Sequence, residues 1–189
     1  MEDYQKLILY TSSDLILHHL SFLPNLPKKV LPKIPDGIDP KINHNCEYPE
    51  PLTERICFSS TIEGCFRALY PNVCHFFEKH HYPYIDIFQY QAIFKGGERY
   101  LPPEVLTSLR FVWDAHITKE YWVLDPVKIK KVAHLRFKNP GKNITQLKTR
   151  PFNDPKKPKR NYVGPKNIHY INLERGGRSL ENTSLSIQW

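Results

Sequence analysis

Apolar positions recur at two spacings along this chain, and the switch between them marks its elements. Tyr84–Phe94 (YIDIFQYQAIF) and Ile129–Phe137 (IKKVAHLRF) are rich in β-formers and partly alternate apolar with polar, the pattern of half-buried strands. Arg55–Ser59 (RICFS) predicts a short buried strand and Tyr121–Leu124 another, with Asp125-Pro126 as the turn that follows. Lys6–Ser12 (KLILYTS) predicts a buried first strand ending in a turn, and Leu109–Asp114 (LRFVWD) a further strand after a loop at Leu101–Leu106. Ile62, Cys65, Phe66 and Leu69 fall instead at i, i+3, i+4 and i+7, one stripe of an amphipathic helix. Ser60-Thr61-Ile62-Glu63 fits a capping box with Ser60 as N-cap, and Pro71 stops the pattern, so a helix is expected from Ser60 to Tyr70. Asn72–Tyr82 predicts a second short helix or an extension of the first. Asp14–Leu23 leaves helix and strand both open.

About six strands and one or two helices, not in strict alternation, predict an α+β fold with a small mixed or antiparallel sheet. Pro24–Pro51 is proline-rich and reads as a long irregular connection. After Phe137 the texture changes: five prolines, little periodicity and isolated anchors at Phe152, Tyr162, Tyr170 and Trp189. The division expected is a globular domain over 1–137 and an extended arm over 138–189.

At 189 residues, 40% hydrophobic and 13% aromatic, the chain is long and apolar enough for one packed domain, which excludes wholesale disorder. No apolar run approaches twenty residues and no export signal opens the chain, so a soluble cytoplasmic protein is expected. Cys46, Cys57, Cys65 and Cys74 form no CxxC pair and are expected reduced and partly buried. Cys74-His75 and His80-His81 lack zinc-ligand spacing, so no metal is expected.

Charge changes the picture most. Residues 138–189 hold eleven Lys/Arg against Asp154, Glu174 and Glu181, whereas residues 1–137 hold sixteen of each sign. The whole net charge of +8 therefore sits in the arm. Lys148, Arg150, Lys156, Lys157, Lys159 and Arg160 interleave with Phe152 and Tyr162, a composition that suits phosphates plus base stacking or an acidic protein groove. The partner expected for 138–189 is thus an acidic macromolecule, either nucleic acid or a protein assembly. A solvated arm without a partner is the alternative.

Three blocks carry a resemblance: a first strand ending in LYTSS, the strand-to-helix unit RICFSSTIEGCFRAL, and EYWVLDPVKIKKVAHLRF. Together they resemble small phage and Firmicute proteins with a YHVS-like start, an RICFSP-like middle and an ExWVxxPV end. More distantly they are similar to the ADP-ribosyltransferase fold, over about residues 6–137. That resemblance implies NAD as cofactor. It implies Glu120 as the catalytic acid stabilising positive charge on the nicotinamide ribose, with Ser59 and Ser60 at the second motif supporting the nicotinamide pocket. Tyr10, Thr11 and Ser12 would form the first NAD-binding motif, although Thr11 stands where the family carries His or Arg. It further implies a phage-type protein of the host cytoplasm or virion, catalytically active or not.

Ordinary roles compete at the same positions. Glu120 also reads as an exposed acid at a strand start, Ser60 as a helix cap, and Tyr10 and Tyr121 as core or half-buried aromatics. A non-enzymatic binding, virion or host-inhibitor module is the first alternative function. The second rests on His19-Leu20-Ser21 and His116-Ile117-Thr118, which resemble the paired H-x-S/T motifs of two-histidine phosphoesterases. No Walker loop, GxSxG or HExxH occurs.

Overall fold

The chain passes through a 3-10 turn at Tyr4–Leu7, then strands β1 (Leu9–Tyr10), β2 (His18–Ser21), β3 (Lys29–Val30) and β4 (Ile56–Ser59). Helix α1 (Ile62–His80) leads to β5 (Tyr84–Ile93) and β6 (Arg99–Leu101). Two short helices, α2 (Pro103–Ser108) and α3 (Ala115–Thr118), precede β7 (Glu120–Val123), β8 (Val127–Lys138), β9 (Asn167–Asn172) and β10 (Asn182–Ser186). This computed structural model describes residues 4–35, 51–112, 114–139, 167–172 and 182–186. The strands form one sheet in the order β1-β6-β7-β4-β2-β5-β8-β9-β10, with β3 also on β8. Every pairing is antiparallel, and the fold is α+β. No helix among the described residues is long and apolar enough to cross a membrane.

Helix α1 packs Cys65, Phe66, Val73 and Phe77 onto Leu20, Ile85, Ile87, Leu135 and Phe137, with Phe66 and Phe137 stacked 4.6 Å apart. Trp122, Leu101, Leu106 and Ala115 form a second cluster between β6, β7 and the two short helices. Leu17, Phe58, Tyr90, Val123, Val127 and Ile129 make a third, on which Leu26 and Val30 pack. The Tyr90 hydroxyl pins that segment, donating to the Leu23 carbonyl (2.9 Å) and accepting from Leu26 N–H (3.2 Å).

One irregularity divides β8 between these cores. Gln89 pairs with Ala133 and Tyr90 with Lys131, so Val132 is an extra residue without a partner on β5. Before it, Val127 and Ile129 enter the cluster around Tyr90; after it, Ala133, Leu135 and Phe137 enter the cluster under α1. All five are odd-numbered, so the bulge moves one sequence parity from one face to the other.

Several expectations are corrected. The helix runs on through Pro71 to His80. Interrupting a helix with proline costs about 3 kcal/mol, but Val73 and Phe77 lie beyond it, almost fully buried, and each such burial contributes about 1.5–3 kcal/mol. The cap is Thr61, whose hydroxyl accepts from Gly64 N–H (3.0 Å), not Ser60. Ser60 N–H donates to the Lys119 carbonyl, continuing the β4–β7 ladder, and Glu63 pairs with Arg67 instead of reaching back.

Leu101–Leu106 is not a loop: Leu101 ends β6, and Pro103 starts α2 where its missing N–H costs nothing. Leu109–Asp114 is not a strand, because Arg110 adopts φ 58° and the chain folds back, Phe111 N–H bonding the Leu106 carbonyl. The first strand is an exposed edge of two residues, with Tyr10 67% exposed, because, of the segment's apolar side chains, only Ile8 turns inward. Part of the 24–51 connection is ordered as β3 and a bridge between Lys33 and Arg55; residues 36–50 lie outside the described residues. Of residues 138–189, β9 lies along β8 at Leu135–Phe137 and β10 along β9.

Candidate functional site

Ser59 and Glu120 are register partners across β4 and β7, so the two residues singled out as catalytic stand side by side. Ser59 is buried and fully engaged: its hydroxyl donates to the Thr118 carbonyl (2.7 Å) and accepts from Thr61 N–H (3.2 Å). Glu120 is half-buried, and its Oε1 accepts from Trp122 Nε1 (2.8 Å), two residues on along the same strand face. Cys57 pairs with Trp122, and the buried Arg55 guanidinium lies 3.7 Å over the indole while donating to the Pro51 and Thr53 carbonyls. Glu120, Trp122, Cys57 and Arg55 thus form one polar row lining the cluster under α2 and α3.

Burial pushes the Glu120 carboxyl up from its ordinary value, with the Asp114 charge acting the same way, while hydrogen bonds from Trp122 and Cys57 and the Arg55 charge oppose it. Burial also pushes the Cys57 thiol up to about 12, so this is a neutral thiol and no nucleophile. Cys65 is pushed to about 12 in the same way, its Sγ–H bonded to the His18 carbonyl. Both are free, as expected; Cys46 and the side chain of Cys74 lie outside the described residues. Glu120 is therefore not the exposed strand-edge acid of the ordinary reading.

A raised carboxyl makes the neutral form the one the fold prefers. Its stabilising contribution is full below the unfolded value and is lost as pH rises through the folded one. Glu120→Gln keeps an acceptor for Trp122 and cannot ionise. We expect the variant to match the wild type in acid and to lose less stability toward neutral pH, read from urea midpoints across that range. A variant destabilised at neutral pH would show that the charged form is the one held.

The first motif does not join this pair. Tyr10 faces Arg99, which accepts from Leu124 N–H through its carbonyl; Glu120 is four residues further back along β7 and two strands over, on the order of 15 Å away. Thr11 is buried and committed, its hydroxyl donating to Glu98 Oε2 (2.6 Å) and accepting from Glu98 N–H (3.1 Å). Ser12 is exposed, and its carbonyl accepts from Leu15 N–H. Ser60 is half-buried at the strand exit. Tyr121 is half-buried, as expected.

The two H-x-S/T motifs also stand apart. The His19 ring packs edge-on to Phe58, on the face of β4 opposite Cys57, with Nδ1 3.1 Å from the Cys57 carbonyl. His116 is exposed on α3, which packs on the Trp122 face. Thr118 is buried with its hydroxyl on the Asp114 carbonyl. Among the described residues no group of three His, Cys, Asp or Glu is placed to hold a metal. Lys148, Arg150, Phe152, Lys156, Lys157, Lys159, Arg160 and Tyr162 lie outside the described residues.

A surface cleft of about 410 Å³ opens elsewhere, between the 24–28 segment and strands β5 and β8. Lys28, Lys128, Lys130 and Lys131 line it, with Leu26, Tyr90, Ile93 and Ile129 between them. Lys131 Nζ donates to the Pro24 carbonyl (2.9 Å), tying the segment to β8. Among the described residues no carboxylate pairs with Lys28, Lys128 or Lys130. Lysines set among apolar lining residues, with Lys131 on the Tyr90 face and Lys128 and Lys130 on the opposite face of β8, suit an anionic ligand that also presents flat or apolar surface. Sequence reasoning passed over this site. Its only local signal is the cluster Lys128, Lys130 and Lys131 within one strand, and Lys28 joins it from a hundred residues away through pairing of β3 with β8.

No protein-family model, curated protein or solved structure matches this chain.

Proposed function

We propose that this protein is a nucleic-acid-binding module, and that the lysine cleft is part of its binding surface. The observation that carries this is that Lys28, Lys128, Lys130 and Lys131 line one cleft, with no carboxylate paired to Lys28, Lys128 or Lys130 among the described residues. Residues of one sign gathered in a concave site focus potential there and attract a polyanion. The +8 carried by residues 138–189 adds to it, because β9 brings that part of the chain alongside β8, the strand that supplies three of the four lysines. The engaged state of Ser59, Thr11 and Glu120 supports a binding role over a catalytic one.

The test is titration of the full chain into labelled nucleic acid at two salt concentrations. Affinity should fall steeply with salt, since each neutralised phosphate contributes about 0.7–0.9 to the slope. Lys128→Glu/Lys130→Glu should weaken binding at least about tenfold and flatten the slope by about 2. Affinity that ignores both salt and this exchange would sink the reading, and a stoichiometric acidic protein recovered in place of nucleic acid would replace it.

A second reading keeps the ADP-ribosyltransferase resemblance, and the direct pairing of Ser59 with Glu120 favours it. On that reading the wild type releases nicotinamide from NAD and Glu120→Gln does not. Equal release, or none from either, removes it.

A further inference from the structure

Beyond the bulge, β5 and β8 carry a row of partly exposed side chains on the face opposite α1, of which Phe88 also packs against the cluster around Tyr90. On β5, Tyr84, Asp86 and Phe88 lie on the face opposite the buried Ile85 and Ile87. On β8, His134 and Arg136 lie opposite the buried Ala133, Leu135 and Phe137. Register sets Phe88 beside His134 and Asp86 beside Arg136. The Phe88 and His134 rings stack at 4.4 Å. Arg136 meets the Asp86 carboxylate with two hydrogen bonds, 2.7 and 2.9 Å long, and His134 Nε2 lies 3.4 Å from the same group. Lys131 reaches over the Phe88 ring, 5.4 Å from its centroid, while its Nζ bonds Pro24 at the lysine cleft. Tyr84, 46% exposed, closes the far end. From Tyr84 to Phe88 this row spans about 13 Å of strand, its rings set beside the held cations Arg136 and Lys131.

We propose that this sheet face takes the bases of a single-stranded nucleic acid, with Tyr84 and the Phe88–His134 pair as stacking surfaces and the adjoining lysine cleft holding the phosphates. The proposal rests on the nucleic-acid reading above and adds the form of the strand. Bases inside a duplex are stacked on one another and cannot lie on a sheet, whereas an open strand presents a π-face at every residue. Asp86 does not repel the phosphates, because Arg136 and His134 already cover it. An acidic protein would be met by the lysines but offers no series of planar rings to the aromatics. Charge and ring spacing together therefore select an open polynucleotide.

The full chain is titrated into labelled dT and rU oligonucleotides, a duplex of equal length, and the same duplex after strand separation, with polyphosphate as a competitor lacking bases. Single strands of either sugar should bind at least about tenfold tighter than the duplex. Tyr84→Ser and Phe88→Leu should each weaken single-strand binding about tenfold and leave duplex binding unmoved. Polyphosphate should compete poorly. Tyr84 is exposed, so its variant decides the matter if Phe88→Leu fails to fold. Equal affinity for duplex and single strand overturns the proposal. So do ring variants that change nothing while Lys128→Glu/Lys130→Glu weakens binding, a result that leaves the nucleic-acid reading standing. Failure of every oligonucleotide to bind removes both.

Discussion

Gly64→Ala is expected to cost this protein a large share of its stability. Gly64 sits in the first turn of α1, where an added Cβ would overlap the Thr118 carbonyl oxygen and the Ser59 hydroxyl, and would stand 2.8 Å from the Thr118 carbonyl carbon. Neither neighbour is the loose end of a side chain. The Thr118 carbonyl is backbone at the end of α3, and Ser59 Oγ is fixed by donating to it. Relief must push α1 off β4 and α3, which costs about 1–3 kcal/mol for overpacking. It must also break the buried Ser59–Thr118 bond, which costs about 1–3 kcal/mol more. Against this, alanine's better helix propensity returns only about 1 kcal/mol. The urea midpoint should fall by more than about 1 M at a slope of about 2 kcal/mol/M. The reverse exchange at the exposed Ala68, Ala68→Gly, should cost only about 1 kcal/mol, because there propensity acts alone. Gly64→Ala at or above wild-type stability would show that the close approach of α1, α3 and β4 is not what holds Ser59 beside Glu120.

Gly64 also marks how far the sequence can be read. The strand-then-helix signal of RICFSSTIEGCF was strong because burial and helical spacing agree over ten residues; β4 and the start of α1 follow it to within a residue or two, while α1 runs ten residues past the expected end. Nothing local distinguishes Gly64 as a contact point, since what it touches arrives from residue 118. The cap moved from Ser60 to Thr61 for the same reason: the Lys119 carbonyl claims Ser60 N–H. Leu109–Asp114 has strand composition, yet Arg110 turns back because Phe111 stacks on Trp122 at 5.7 Å, a partner eleven residues on. In the candidate site, Ser59 and Glu120 were each singled out through a resemblance, and it is the pairing of β4 with β7 that sets them side by side. Their engagement with Thr118 and Trp122 was not legible, and neither was the lysine cleft, which needs three separate segments to exist. Local spacing reports which side chains are apolar; the partners that occupy or free each polar group come from pairing across the sheet.

Deleting Val132 is expected to abolish the cooperative fold, although Val132→Ala should cost about 1 kcal/mol or less. Val132 is only half-buried, so its side chain matters little; its backbone is the extra residue that lets β8 serve two cores. Without it the strand keeps one parity on one face throughout. If the Val127–Lys131 half stays registered on β5 and β3, then Ala133, Leu135 and Phe137 turn outward and His134 and Arg136 turn under α1. Leu135 and Phe137 are at most 2% exposed, and losing both burials costs about 3–6 kcal/mol. Bringing the Arg136 guanidinium into that core away from Asp86 costs several more. If instead the far half stays, Val127 and Ile129 leave the cluster around Tyr90, and Lys28 and Lys131 no longer meet across the cleft. Either slip approaches the roughly 5–15 kcal/mol that holds a domain together, and either separates the stacking row from the lysines. Far-UV and near-UV circular dichroism distinguish the outcomes: loss of both signals is expected. A deletion variant that melts cooperatively near the wild-type temperature would show that β8 does not need its bulge to feed both faces.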